Sequence, residues 1–208
     1  MWRSLQVTTS ALVISAAVGI PAGTWLALTR FPGQRLLNAL IYTGMGLPPV
    51  VVGLVVYLFL SNSGPLGWLG WLFTTKAMVV AQAIIATPMV VGVTMSSVRA
   101  VDPALRVQLR ALGATRWQAT VAALVEARFG VIVGLVAGFG SIISEVGAVM
   151  LVGGNIDERT RVLTTAIVLE TRRGNFDVAL ALGIILLTLS FAANLIMVLG
   201  QGKLAESS

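Results

Sequence analysis

The 208-residue sequence contains no cysteine and no histidine. Without cysteine there are no disulfides, no thiol nucleophile and no thiolate-bound metal. Without histidine the usual general base and the commonest metal ligand are missing, and a Ser-His-Asp site cannot be assembled. No apolar run holds two carboxylates that share a proton. No glycine-rich loop ends in Gly-Lys-Ser or Gly-Lys-Thr, so the chain has no phosphate-cradling loop for a nucleotide. No catalytic residue, metal ligand set or cofactor of its own is expected, and the chain reads as a non-enzyme. Charge is scarce as well: 11% of residues are charged and 57% hydrophobic, and the mean hydropathy is +0.93. That composition excludes an ordinary soluble domain.

What is present is apolar length. Uncharged stretches run from Ser4 to Thr29, Leu36 to Thr75, Ala77 to Val98 and Val178 to Gly202, and between Arg128 and Asp157 the only charge is Glu145. About 20 apolar helical residues cross a bilayer core. The longest stretch exceeds one span and is divided by the turn-forming Ser61-Asn62-Ser63-Gly64-Pro65-Leu66-Gly67. The expected fold is therefore all-α and polytopic: five spans at Leu5–Leu28, Leu36–Leu60, Ala77–Val98, Phe129–Val152 and Val178–Leu199, in one transmembrane domain over residues 1–208. The first run is longer than the ~7–15 apolar residues of a signal peptide and is read as retained. Its abrupt start leaves room for an N-terminal extension. With the segment 99–128 inside, the inner side holds Arg30, Arg35, Arg99, Arg106, Arg110, Arg116, Arg128 and Lys203. The outer side holds Arg3, Lys76, Arg159, Arg161, Arg172 and Arg173. The positive-inside rule then favours an external N-terminus and a cytoplasmic C-terminus. The net charge of +6 sits in short loops, and no nucleic-acid partner is expected.

The densest arginines occupy Asp102-Pro-Ala-Leu-Arg-Val-Gln-Leu-Arg-Ala-Leu-Gly-Ala-Thr-Arg-Trp-Gln118. Asp102 and Pro103 suit a helix start, and Leu105, Leu109 and Leu112 recur at helical spacing. Gly113 interrupts, and Thr115 with Gln118 forms a capping-box pattern that opens a second helix. The segment is expected to be a helix–glycine–helix knob with Arg106, Arg110 and Arg116 at its surface. A topology loop needs only the charge. Two capped helices suggest docking to a protein.

This loop resembles the cytoplasmic coupling loop of binding-protein-dependent ABC importers. Their permeases carry Glu-Ala-Ala, three residues and Gly before a later Pro. Asp102-Pro103 and Ala111-Leu112-Gly113-Ala114 fit that pattern, while Val107-Gln108-Leu109 stands where Glu-Ala-Ala would fall and Glu126 near the expected Pro. A narrower likeness covers nearly the whole chain. The stretches GLPPVVVGLVVYLFLSNSGPLG, ALGATRWQ, EARFG, SEVGAVMLVGGNI and TTAIVLETRRGNF resemble the tungstate-type permeases, close relatives of the molybdate permeases. The resemblance implies a type I importer fold in a prokaryotic plasma (inner) membrane. It implies a second copy of the chain, two cytoplasmic ATPase subunits carrying ATP and Mg, and an extracytoplasmic oxyanion-binding protein. Asp102, Arg106, Arg110, Ala111, Leu112, Gly113, Ala114, Thr115 and Arg116 would couple to the ATPase. Molybdate or another oxyanion is the alternative substrate, and a stand-alone channel or carrier the alternative class.

The spans add detail. Ser15, Gly19, Gly23 and Ala27 in the first, and Gly130, Gly134 and Gly138 in the fourth, repeat every four residues. Such stripes permit close helix approach, whether static or sliding. Thr43-Gly-Met-Gly-Leu-Pro-Pro49 interrupts the second span. It is read as a kink, or as broken backbone lining a wet cavity where free amides meet an anion, with Pro48 and Pro49 at its centre. Pro88 is expected to bend the third. Thr43, Ser141 and Ser144 are candidate pathway hydroxyls, unless they bond their own helix backbone. Glu145, the one ionisable group deep in a span, is expected to accept hydrogen bonds from a neighbouring span or partner copy in a structural or gating role; direct contact with an anion is disfavoured by like charge. The loop 153–177 is expected to hold a short outer-surface helix over Val162–Leu169. Its Asp157, Arg159, Arg161, Arg172 and Arg173 would meet the binding protein, or the loop would cover the bundle.

Overall fold

The structure, a computed structural model, describes residues 2–206, with side chains described through Met197 and at Leu199. The side chain of Lys203, assigned above to the inner side, lies outside them. The described residues are helical with no strand. In chain order they form α1 (Trp2–Leu28), α2 (Gln34–Met45), α3 (Pro49–Leu60), α4 (Thr75–Ala100), α5 (Pro103–Ala111), α6 (Arg116–Glu126), α7 (Arg128–Ile143), α8 (Gly147–Gly153), α9 (Leu163–Arg172) and α10 (Phe176–Glu206).

Three helices, α1, α4 and α10, are long and apolar enough to cross a membrane. Two bent pairs, α2 with α3 at 101° and α6 with α7 at 63°, bring the number to as many as five. The predicted fourth span, Phe129–Val152, is corrected. It is not one helix: α7 ends at Ile143 and α8 begins at Gly147. With 16 residues, α7 rises only ~24 Å, short of a bilayer core of ~30 Å. The expected bend at Pro88 does not interrupt α4, which is one helix from Thr75 to Ala100.

α4 is the centre of the bundle, packed on α1, α2, α3, α7 and α8. The two small-residue stripes meet it from two sides. A Cβ placed on Gly19 would lie 2.8 Å from Val90, and one on Gly23 would lie 2.7 Å from the Val91 carbonyl. Gly130 faces Ser97 and Gly134 faces Val93. Small side chains are thus the condition for these backbones to approach. Hydroxyls join α1 to α4: the buried Ser15 hydroxyl donates to the Ala83 carbonyl at 3.1 Å, and Thr87 donates to Ser15 at 3.2 Å, while the buried Thr94 hydroxyl beside Gly23 has no hydrogen-bond partner.

The helix ends sort the charges onto two faces. Arg30, Arg99 and Arg106 line one cavity, and Arg99 donates to the Leu26 carbonyl at 3.2 Å. At the other end of α4, Arg3 and Arg159 share a cavity with Thr75. Arg3 also lines a second one with Asp157, Glu158 and Arg161.

Candidate functional site

The break between α2 and α3 meets the break between α7 and α8. α3 and α8 pack side by side. A Cβ on Gly147 would fall 2.5 Å from Val50, and one on Gly53 would fall 2.5 Å from the Ala148 backbone. Their N-termini therefore lie together and both helices run the same way. The first break follows from Pro48 and Pro49, which cannot donate to the preceding turn; Pro48 is extended at φ −61°, ψ 119° and starts α3. The second break is held open by hydrogen bonds to its freed carbonyls. Gln82 of α4, itself buried, donates to Ile142 at 2.9 Å, and Thr164 of α9 donates to Glu145 at 3.0 Å. Interrupted helix at membrane depth requires such partners.

Glu145 is half-buried, and its Oε1 accepts the amide of Ala148 at 2.9 Å. The carboxylate caps α8, the favourable place for negative charge at a helix start. The donor seen in the single chain is the backbone of the next helix and not a neighbouring span. Ser144 is exposed, yet its hydroxyl donates to its own helix at Gly140, 2.9 Å away. Ser141 and Thr43 are also exposed. The structure brings Ser141, Ser144 and Glu145 to one break and Thr43, Pro48 and Pro49 to the other. Gln82 and Thr164 were missed. A lone amide inside the apolar run Ala77–Val98 was the available signal for Gln82.

The basic segment is a knob of two helices. Asp102 caps α5 through the Ala104 amide at 2.8 Å. Beyond α5, the amide of Gly113 donates to Arg110 at 3.1 Å and that of Ala114 to Leu109 at 2.9 Å. Gly113 has φ +93°. This is the Schellman ending, with glycine at its left-handed position. The capping box of α6 is complete: Thr115 N–H donates to Gln118 Oε1 at 2.8 Å and Gln118 N–H to Thr115 Oγ1 at 3.2 Å. Ala119 and Ala123 are buried and seat the knob on α1 and α4. Arg110, Ala111 and Arg116 are exposed. Arg106 is not and is corrected: half-buried, it turns from the surface into the cavity with Arg30 and Arg99, because its position on α5 faces the bundle. The surface also carries apolar groups that the charge pattern hid: Leu112 is 86% exposed, Trp117 74% and Val107 69%. Large apolar groups ringed by arginines are the composition of a protein interface centre.

On the opposite face, α9 begins at Leu163, one residue later than expected, and extends to Arg172. Its first turn is not on the surface, because Leu163, Thr164 and Thr165 are buried and the Leu163 amide donates to Ser4 at 2.9 Å. Arg161 pairs with Asp157 at 2.7 Å, and Arg173 with Glu170 at 3.0 Å; Arg159 and Arg172 are exposed. The Glu170 carboxyl is held below its ordinary value by the hydrogen bond from Asn175, and further by the charge of Arg173. Among the described residues no group of three or more acidic side chains gathers into a metal site.

Residues 19–204 match the family described as "Binding-protein-dependent transport system inner membrane component". The chain is 45% identical over 196 residues to the "Probable anion ABC transporter permease protein" of Haloferax volcanii, covering 92% of this chain and 84% of that one. It is 39% identical over 197 residues to the tungstate uptake system permease protein of Peptoclostridium acidaminophilum, covering 95% and 86%. Among solved structures, the inward-facing MetNI methionine ABC transporter aligns with a TM-score of 0.70 at 19% identity, over 94% of this chain and 92% of that one. That likeness is one of fold.

Proposed function

The chain belongs to the family of binding-protein-dependent transport system inner membrane components, and from that premise we propose that it is the permease subunit of an ABC importer for an oxyanion, tungstate in the first instance. The observation that carries the reading is the paired break, which puts the N-termini of α3 and α8 side by side near the exposed Ser141, while the Ser144 hydroxyl is taken up by its own helix. Helix N-termini favour anions, and broken helices at membrane depth form substrate sites in other transporters. No Lys or Arg belongs to these breaks, so a dianion meets hydroxyls, amides and water and is not trapped, as conduction requires. Glu145 holds α8 in place through the Ala148 amide, a structural or gating group more than a ligand. The similarity to the tungstate permease supports the choice of ion; molybdate, nearly equal in size and charge, is the second reading.

In this scheme residues 1–208 are a single permease domain in a prokaryotic plasma membrane, N-terminus outside and C-terminus in the cytoplasm. Two copies pair with two cytoplasmic ATPases, which hold ATP and Mg. The knob docks through Asp102, Arg110, Ala111, Leu112, Gly113, Ala114, Thr115 and Arg116, joined by Val107 and Trp117. Asp157, Arg159, Arg161, Arg172 and Arg173 face the external binding protein. Competition during uptake tests the substrate: excess unlabelled tungstate should abolish accumulation of labelled tungstate, molybdate should compete partially, and sulfate hardly at all. Stronger competition by sulfate would remove the assignment.

A further inference from the structure

We propose that the pocket between the ends of α1 and α4 and the start of α5 binds a tetrahedral, phosphate-like oxyanion group. The cavity has a volume of about 420 Å3, and Arg30, Arg99 and Arg106 line it with Thr29 and Gln34. At ~30 Å3 per water it holds roughly a dozen waters, room for four oxygens and their hydration. None of its lining residues is Asp or Glu. Asp102, the nearest acid in sequence, lines the neighbouring cavity and accepts from Ala104. The described ion pairs of the chain, Arg161 with Asp157 and Arg173 with Glu170, are both on other parts of the molecule.

Arg30 and Arg99 are exposed and Arg106 is half-buried; the three guanidinium groups give the cavity a positive charge that no lining acid offsets. The partner recorded for Arg99 is a neutral carbonyl, and Arg106 Nε is buried without a hydrogen-bond partner. A buried, unpaired guanidinium N–H carries a desolvation cost that an oxyanion removes. Arginine forks match tetrahedral oxyanions in bidentate geometry. The pocket opens where apolar helices end, so a dissolved oxyanion and the phosphate of an anionic lipid can both reach it, presenting the same chemistry. The site is separate from the paired break and does not depend on which ion is transported.

The test uses the full-length chain in nanodiscs. In phosphatidylcholine alone it is titrated with tungstate and with inorganic phosphate; in mixed phosphatidylcholine and phosphatidylglycerol, lipid retention is read by native mass spectrometry. Removing one partner from such a charge cluster should weaken binding at least ~10-fold. Arg106→Gln and Arg30→Gln should each lose binding in one of the two assays, and Arg35→Gln, exposed and outside the cavity lining, should lose none. Loss in the titration identifies a dissolved ion, and loss of retained phosphatidylglycerol identifies a headgroup. Unchanged binding in Arg106→Gln and Arg30→Gln across both assays, or equal weakening in Arg35→Gln, would overturn the site.

Discussion

At Gly113 a single backbone angle sets the shape of the knob. A φ of +93° is open to glycine and costs a β-branched residue roughly 1–2 kcal/mol, about a tenfold shift between two arrangements. Gly113→Val should leave membrane insertion and ATP hydrolysis intact but uncouple hydrolysis from uptake; full ATP-driven uptake by the variant would show that this turn transmits nothing. Glu145 permits a paired comparison. Gln keeps an oxygen for the Ala148 amide, whereas Ala removes a cap worth on the order of 1 kcal/mol. Glu145→Gln should retain assembly and much of the transport, and Glu145→Ala should lower both the melting temperature and transport. Equal loss of transport in the two, with assembly unchanged, would mean that a charge or proton is required. Glu170 carries the pH dependence. Its carboxyl is held below its ordinary value by the hydrogen bond from Asn175 and the charge of Arg173, so its contribution to the α9–α10 turn is complete above that ordinary value and lost as pH falls through the lowered one. Hydrogen exchange at Gly174 and Asn175, corrected for intrinsic rates, should speed up on acidification in the wild type and show no such transition in Glu170→Gln.

At the scale of elements, the knob and the break differ in how they are held. The knob is specified locally, and its outer surface combines Leu112 and Trp117 with Arg110 and Arg116. Trp117→Ala should weaken association with the ATPase by ~2 kcal/mol, as for an interface anchor. Arg116→Gln should cost ~0–1 kcal/mol and fade with salt. Equal effects of the two in a binding titration would contradict the apolar anchor. The α3–α8 contact depends on Gly53. A Cβ there meets the Ala148 backbone, an overpacking cost of about 1–3 kcal/mol, whereas a Cβ on Gly140 meets nothing within 4 Å. Thermal melting in detergent should therefore show Gly53→Ala destabilised and Gly140→Ala not. The knob was legible in the sequence because its signals, Asp102-Pro103, Gly113 and Thr115 with Gln118, act over three or four residues. The prolines likewise announced the first break. The second break was hidden because residues 129–152 are apolar on both sides of Ser144-Glu145. Gln82 and Thr164, which hold it open, bond Ile142 and Glu145 from distant parts of the chain, and no local periodicity carries that information. Arg106 was misplaced for the same reason, since charge alone does not tell which face of α5 meets the bundle.

Over the whole molecule, α4 is the most buried of the long helices, while residues 180–197 of α10 include no buried side chain and the outer faces of α3 and α7 are exposed. Apolar faces are at home in lipid. Exposed Ser141 and Thr43 beside the breaks are not, and they need water or a second copy. Closed two-fold pairing is the commonest solution, and it would give the assembly two knobs for two ATPases and a conduit between the paired breaks. Native mass measurement of the complex with its ATPase should show two copies of this chain; a functional complex with one copy would refute the pairing. The central claim, that this chain is the membrane conduit of an ATP-driven oxyanion importer, is tested most directly in proteoliposomes. The chain is reconstituted with its ATPase, the oxyanion-binding protein is added outside, and labelled tungstate is counted inside. Accumulation should require the chain, ATP on the ATPase side and the binding protein together; tungstate entry through the chain alone, without ATP or binding protein, would contradict the account.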